Sequence, residues 1–127
     1  MTSRTRTRLV LLLSVAALVT VPFISLAAHG HQKSFRSNVV IHYRPASNTF
    51  DGHVGTARVC KEGRTVLVQQ LPSNAVVGSD TTDHSGHWGP VPAPGPGTYY
   101  ARVTQEIRGG YGGVVCLEGV SHTVTVP

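Results

Sequence analysis

From Ser37 onward, apolar and polar residues alternate with a period of two, the spacing that sends successive side chains to opposite faces of a strand. Val39, Ile41 and Tyr43 alternate with Val40, His42 and Arg44 in a first strand that stops at Pro45. Phe50, Gly52 and Val54 mark a second, which the pattern carries on toward Val59 and Cys60. Lys61–Arg64 reads as a turn, Thr65–Leu71 as a β-branched central strand, and Pro72-Ser73-Asn74 as its end. Ala75–Thr82 follows. Asp83-His84-Ser85-Gly86 is a turn in which Asp can bind backbone two residues on and Gly can take positive φ. His87-Trp88 starts the return strand, and the Pro- and Gly-dense Pro90–Gly97 is neither helix nor central strand. Tyr99, Ala101 and Val103 alternate with Tyr100, Arg102 and Thr104, so Tyr99 is expected in the core and Tyr100 outside it. Gly109–Gly113 is a hairpin tip, and Val114–Leu117 and His122–Val126 form the last pair around Glu118-Gly119. Seven or eight short strands at this spacing predict an all-β, antiparallel, Ig-like or prealbumin-like sandwich.

The N-terminus carries a different signal. Arg4, Arg6 and Arg8 precede the apolar run Leu9–Val21, Pro22 closes it, and Ser25-Leu26-Ala27 supplies a peptidase site. The expected organisation is a signal peptide at 1–27, a flexible segment at 28–36 and the sandwich at 37–127. Removing the signal leaves eight basic and six acidic residues, a balance of +2. That weak charge, with no Lys/Arg cluster, argues against nucleic acid as a partner. No second apolar segment suggests membrane insertion once the signal is gone. A domain of about 100 residues has a small core and benefits from a cross-link. Cys60 and Cys116 are the only cysteines, and in an oxidising compartment they are expected to form a disulfide.

The run Gly78-Ser79-Asp80-Thr81-Thr82-Asp83-x-x-Gly86-x-Trp88, followed by Pro96-Gly97-Thr98-Tyr99-Tyr100-Ala101, resembles the carboxypeptidase regulatory-domain-like and transthyretin-like group of prealbumin sandwiches. Val66 and Val68 on the preceding strand match as well, and the similarity spans roughly Phe50 to Val126. The resemblance implies an accessory module without catalysis. Some related surface domains carry Lys–Asn isopeptide links; here Lys33 and Lys61 are the only lysines outside the signal.

Seven histidines raise metal chemistry. His84 and His87 lie beside Asp80 and Asp83, a potential divalent-ion set, and the two aspartates alone suggest a hydrated Ca(II) site. The competing reading is an Asx-type turn with exposed imidazoles, and it is favoured. Cleavage after Ala28 would expose His29-Gly30-His31, whose α-amine, amides and third-position imidazole suit square-planar Cu(II). Cleavage after Ala27 destroys that arrangement. Asp83, His84 and Ser85 are consecutive, so they form no catalytic relay by adjacency, and no Gly-x-Ser-x-Gly elbow is present. Among the aromatics, Trp88 and Tyr99 read as core. Tyr100 and Tyr111 are the contact candidates, with Arg102 and Arg108 flanking Tyr111 if both point outward. The function expected is a secreted or cell-wall-associated, non-catalytic binding or structural module for a protein or glycan. The alternatives are a small copper protein, or a small hydrolase or inhibitor.

Overall fold

The computed structural model describes residues 31–127. The strands are β1 (Ser34–Phe35), β2 (Asn38–Arg44), β3 (Thr49–Gly55), β4 (Thr65–Gln70), β5 (Ala75–Thr81), β6 (His87–Pro92), β7 (Gly97–Val103), β8 (Glu106–Arg108), β9 (Val114–Cys116), β10 (Gly119–Val120) and β11 (Val124–Val126). A single 3-10 turn, Arg58–Cys60, interrupts them. Sheet β2-β3-β6 faces sheet β10-β7-β4-β5, to which β11 adds along β7, and a small sheet β1-β9-β8 closes one end. The protein is an all-β sandwich. No helix among the described residues is long and apolar enough to cross a membrane.

Alternation builds the core. Val39 and Ile41 of β2, Phe50 and Val54 of β3, Val66 and Val68 of β4, and Tyr99, Ala101 and Val103 of β7 are buried between the two main sheets with Trp88 and Val91 of β6. Phe50 and Tyr99 pack with ring centroids 5.0 Å apart at 51°, a tilted arrangement of the kind aromatic pairs prefer. Tyr99 donates its hydroxyl to the Gly95 carbonyl at 2.8 Å, so this buried ring keeps its polar end satisfied. At Gly52 a Cβ would run into the Val40 carbonyl and the Trp88 ring. Glycine there lets the tryptophan pack directly against β3.

The structure departs from the sequence pattern in four places. The second strand ends at Gly55 rather than reaching Cys60, because the chain turns and a 3-10 turn carries Cys60 inward to Cys116. Ser34–Phe35, within the segment expected to be flexible, pairs in parallel with Val115–Cys116, so the sheets are not purely antiparallel. Residues Pro90–Pro92 do form strand, but on an edge, where the missing proline N–H breaks no central ladder. The expected last pair does not form: Val114–Cys116 (β9) pairs with β8 and β1, whereas β11 and the short β10, which falls at the expected Glu118-Gly119 connector, both pair with β7. Between β10 and β11 Ser121 stands in for the ladder: its N–H donates to Ala101 O and its Oγ accepts from Ala101 N, each at 2.8 Å.

One residue of the Lys61–Arg64 turn is not a surface residue at all. Arg64 is fully buried, beside the Cys60–Cys116 disulfide. Its guanidinium donates to Cys60 O (3.1 Å), Thr104 O (2.9 Å), Leu117 O (3.1 Å), Cys116 O (3.4 Å) and Ser37 Oγ (3.3 Å). Glu106 lies 3.9 Å from its Nε. Burial pushes the guanidinium below its ordinary value, yet arginine stays charged in proteins. A planar fork with five donors therefore joins the β2 approach, the 3-10 turn, the end of β7 and the β9–β10 connection at one point.

Candidate functional site

Tyr100 and Arg102 of central β7 face outward, as follows directly from the burial of Tyr99, Ala101 and Val103 on its other face. Tyr100 donates its hydroxyl to Asn74 Oδ1 at 2.9 Å, where Asn74 takes a left-handed conformation (φ 60°) in the β4–β5 turn. Arg102 Nε lies 3.3 Å from Oε2 of Glu118, the residue before β10. With exposed Leu71 and Val120 these residues line a groove of about 370 Å³ on the outer face of the larger sheet. It combines apolar contact area with a few polar groups held by hydrogen bonding or ion pairing. Glu118 follows Leu117, whose carbonyl Arg64 holds, so the buried fork also fixes one wall of the groove.

The four contact candidates thus separate. Tyr100 and Arg102 share the groove. Tyr111 stands fully exposed at the β8–β9 tip and is not among the residues lining it. Arg108 does not flank Tyr111 as an outward cation. Its guanidinium turns back to Val59 O (3.0 Å), Glu62 O and Glu106, because a half-buried fork is stabilised by nearby carbonyl and carboxylate acceptors.

The β5–β6 hairpin takes the turn chemistry expected of it. Asp83 Oδ1 accepts from Ser85 N (2.9 Å), Ser85 Oγ (2.9 Å) and His87 N (3.0 Å), and Gly86 has φ 89°. Asp80 Oδ2 accepts from Gly89 N at 2.6 Å. Both carboxylates are engaged in closing the hairpin, while His84 is exposed at its tip. The set Asp80, His84 and His87 is not assembled around a common point. Among the described residues no group of three or more His, Cys, Asp or Glu side chains is placed to hold a metal ion. His29 lies outside the described residues, and His31 is exposed at their start.

The Ser85 hydroxyl, with the His87 and Ser85 N–H groups, holds the Asp83 carboxyl below the usual carboxylate range. Because the folded value is the lower one, the stability this ionised turn contributes is present above about pH 4 and is lost as pH falls through the lowered value. Asp83→Ala is expected to lower the melting temperature at neutral pH and to reduce the drop on acidification. Thermal melts from about pH 2 to about pH 7 check this.

Sequence reasoning did not group His42, Asp51 and His53 with His87. These residues occupy the outer face of β2-β3-β6 with Arg44, lining a second concavity of about 330 Å³. Arg44 Nε donates to Asp51 Oδ2 at 2.9 Å, and this hydrogen bond raises the guanidinium value. His42 Nδ1 is 3.6 Å from Asp51 Oδ1. The signal was the shared outward parity of positions 42, 51, 53 and 87, which becomes spatial only once β3 is paired with both neighbours.

Comparison with protein-family models, with curated proteins and with solved structures gives no match.

Proposed function

We propose that this chain is an exported, non-catalytic binding module, and that its principal contact surface is the groove around Tyr100. The observation that carries the reading is the combination of Leu71, Val120 and Tyr100 as apolar contact area with Arg102, Glu118 and Asn74 already held in place by hydrogen bonds or ion pairing. Preset polar groups lower the ordering cost of association. The apolar share is mainly aliphatic, with one aromatic ring, which suits a protein segment better than the flat stacking platform a glycan uses.

The disulfide supports an oxidising, extracellular setting. The hairpin hydrogen bonds support a non-catalytic reading of its Asp, Ser and His. Ser85 Oγ donates to Asp83 Oδ1 at 2.9 Å, and His87 Nδ1, 3.0 Å from that hydroxyl, is 4.0 Å from the same carboxylate oxygen, so the carboxylate is hydrogen-bonded by the serine and not by the imidazole. A nucleophile requires the opposite order, with histidine between serine and carboxylate. The kinship with transthyretin-like accessory modules belongs to the same proposal.

Immobilised protein is expected to retain a partner from the medium or surface extract of the producing cells. Val120→Asp, which puts a charge on the apolar wall, is expected to weaken that partner's binding at least tenfold, as does Tyr100→Ala, by order-of-magnitude comparison with interface anchors. Equal retention by both variants, with their folds intact, counts against the groove. Capture of a glycan instead of a protein would redirect the partner class.

A further inference from the structure

The outer face of sheet β2-β3-β6 carries an arrangement that the groove does not use. His53 of β3 and His87 of β6 are direct cross-strand partners. Their rings are 6.1 Å apart at the centroids and inclined by 63°. With metal–nitrogen bonds of about 2.0–2.1 Å, two imidazoles on one ion are centred on the order of 5–6 Å apart, so the pair stands at the outer edge of chelating distance. Both rings are exposed, and a rotation of the His53 side chain would close that small gap while His87 keeps its contact with Ser85.

The second observation concerns tautomer. Ser85 Oγ lies 2.9 Å from Asp83 Oδ1 and 3.0 Å from His87 Nδ1. When the hydroxyl proton is directed to the carboxylate, the ring donates through Nδ1, and in that tautomer the free lone pair is on Nε2. A carboxylate–hydroxyl–imidazole chain is therefore in place behind the ring, in the position from which such partners orient metal-bound histidines. Asp51, ion-paired with Arg44, and His42 border the same concavity.

We infer that His53 and His87 form a two-imidazole chelate for a borderline divalent transition ion of the Zn(II) class, with water completing the coordination. Asp83 and Ser85 act as positioning residues through His87. The site differs from the Asp80, His84 and His87 grouping in taking its second imidazole from across the sheet, and it is independent of the partner groove.

Zn(II) alone, titrated into the full mature chain and followed through the imidazole nitrogen signals in two-dimensional NMR, tests this. Shifts of the Nε2 signals of His53 and His87 in step, with one apparent affinity, are expected. His53→Ala and His87→Ala are each expected to weaken Zn(II) binding at least tenfold, and Ser85→Ala by about tenfold, the lower end of the usual loss when an outer partner is removed. His84→Ala and His122→Ala are expected to leave the affinity unchanged. Binding of undiminished affinity in His53→Ala, or shifts confined to His31, His84 or His122, overturns the assignment. So does the absence of any shift at millimolar Zn(II). The amide spectrum of each variant confirms that the sandwich is intact.

Discussion

Arg64→Met is expected to destabilise the fold by about 3–5 kcal/mol, because several buried carbonyls lose their donor at once. Urea denaturation would register this as a lower midpoint with an unchanged slope. The reason is what methionine leaves behind. Thr104 O, Leu117 O and Cys60 O accept from the guanidinium at 2.9–3.1 Å, and the flexible thioether offers them no donor. A buried carbonyl without a partner costs roughly 1–3 kcal/mol. Glu106 also loses a cation 3.9 Å away, though it keeps Arg108. Arg64→Lys is expected to recover only part of the loss, since one ammonium cannot reach acceptors spread around a planar fork. A midpoint within experimental error of wild type would show that the carbonyls find other donors.

Removal of the disulfide, as Cys60→Ser with Cys116→Ser, is expected to cost about 4 kcal/mol under the chain-entropy relation. The bridge spans a sequence separation of 56 residues, and its two Cα atoms are 5.5 Å apart. Both half-cystines also present carbonyls to Arg64. The two lesions are therefore coupled: the triple variant is expected to lose less than the sum of the separate losses, by an interaction energy of about 0.5–3 kcal/mol. Strict additivity, measured in the same denaturation series, would separate the bridge from the arginine energetically. The proposed contact groove is linked to this region through Leu117, whose carbonyl Arg64 holds and which precedes the groove residue Glu118. Partner affinity is accordingly expected to fall in the Arg64→Met variant even under conditions where it remains folded.

Local alternation made much of the sandwich legible. The inward Tyr99 and outward Tyr100, the buried Trp88 and the Asp83–Gly86 turn all depend on interactions within a few residues, which a linear pattern records. The disulfide was legible because two cysteines allow one pairing. Arg64 was hidden for the opposite reason. Its acceptors come from Ser37, Cys60, Thr104, Cys116 and Leu117, up to 53 positions away, and beside Lys61 and Glu62 it has the composition of a solvated turn. The same holds for the candidate sites. Tyr100 and Arg102 were identifiable from parity, whereas Glu118 joins them only because β10 pairs with β7. His53 meets His87 only through the β3–β6 register, which shifts at a bulge between Phe50 and Gly52. A shift of one residue there would send one imidazole to the other face.

The central claim, that the chain binds a partner through the groove around Tyr100, is tested most directly by position-specific photo-crosslinking. A photoreactive amino acid at Val120 samples the groove, and one at Ile107, also exposed but on β8, samples a surface outside it. With the partner retained by the wild-type chain, the account predicts a crosslinked adduct from position 120, lost when Tyr100 is replaced by alanine, and none from position 107. An adduct from position 107 with none from position 120 would contradict it.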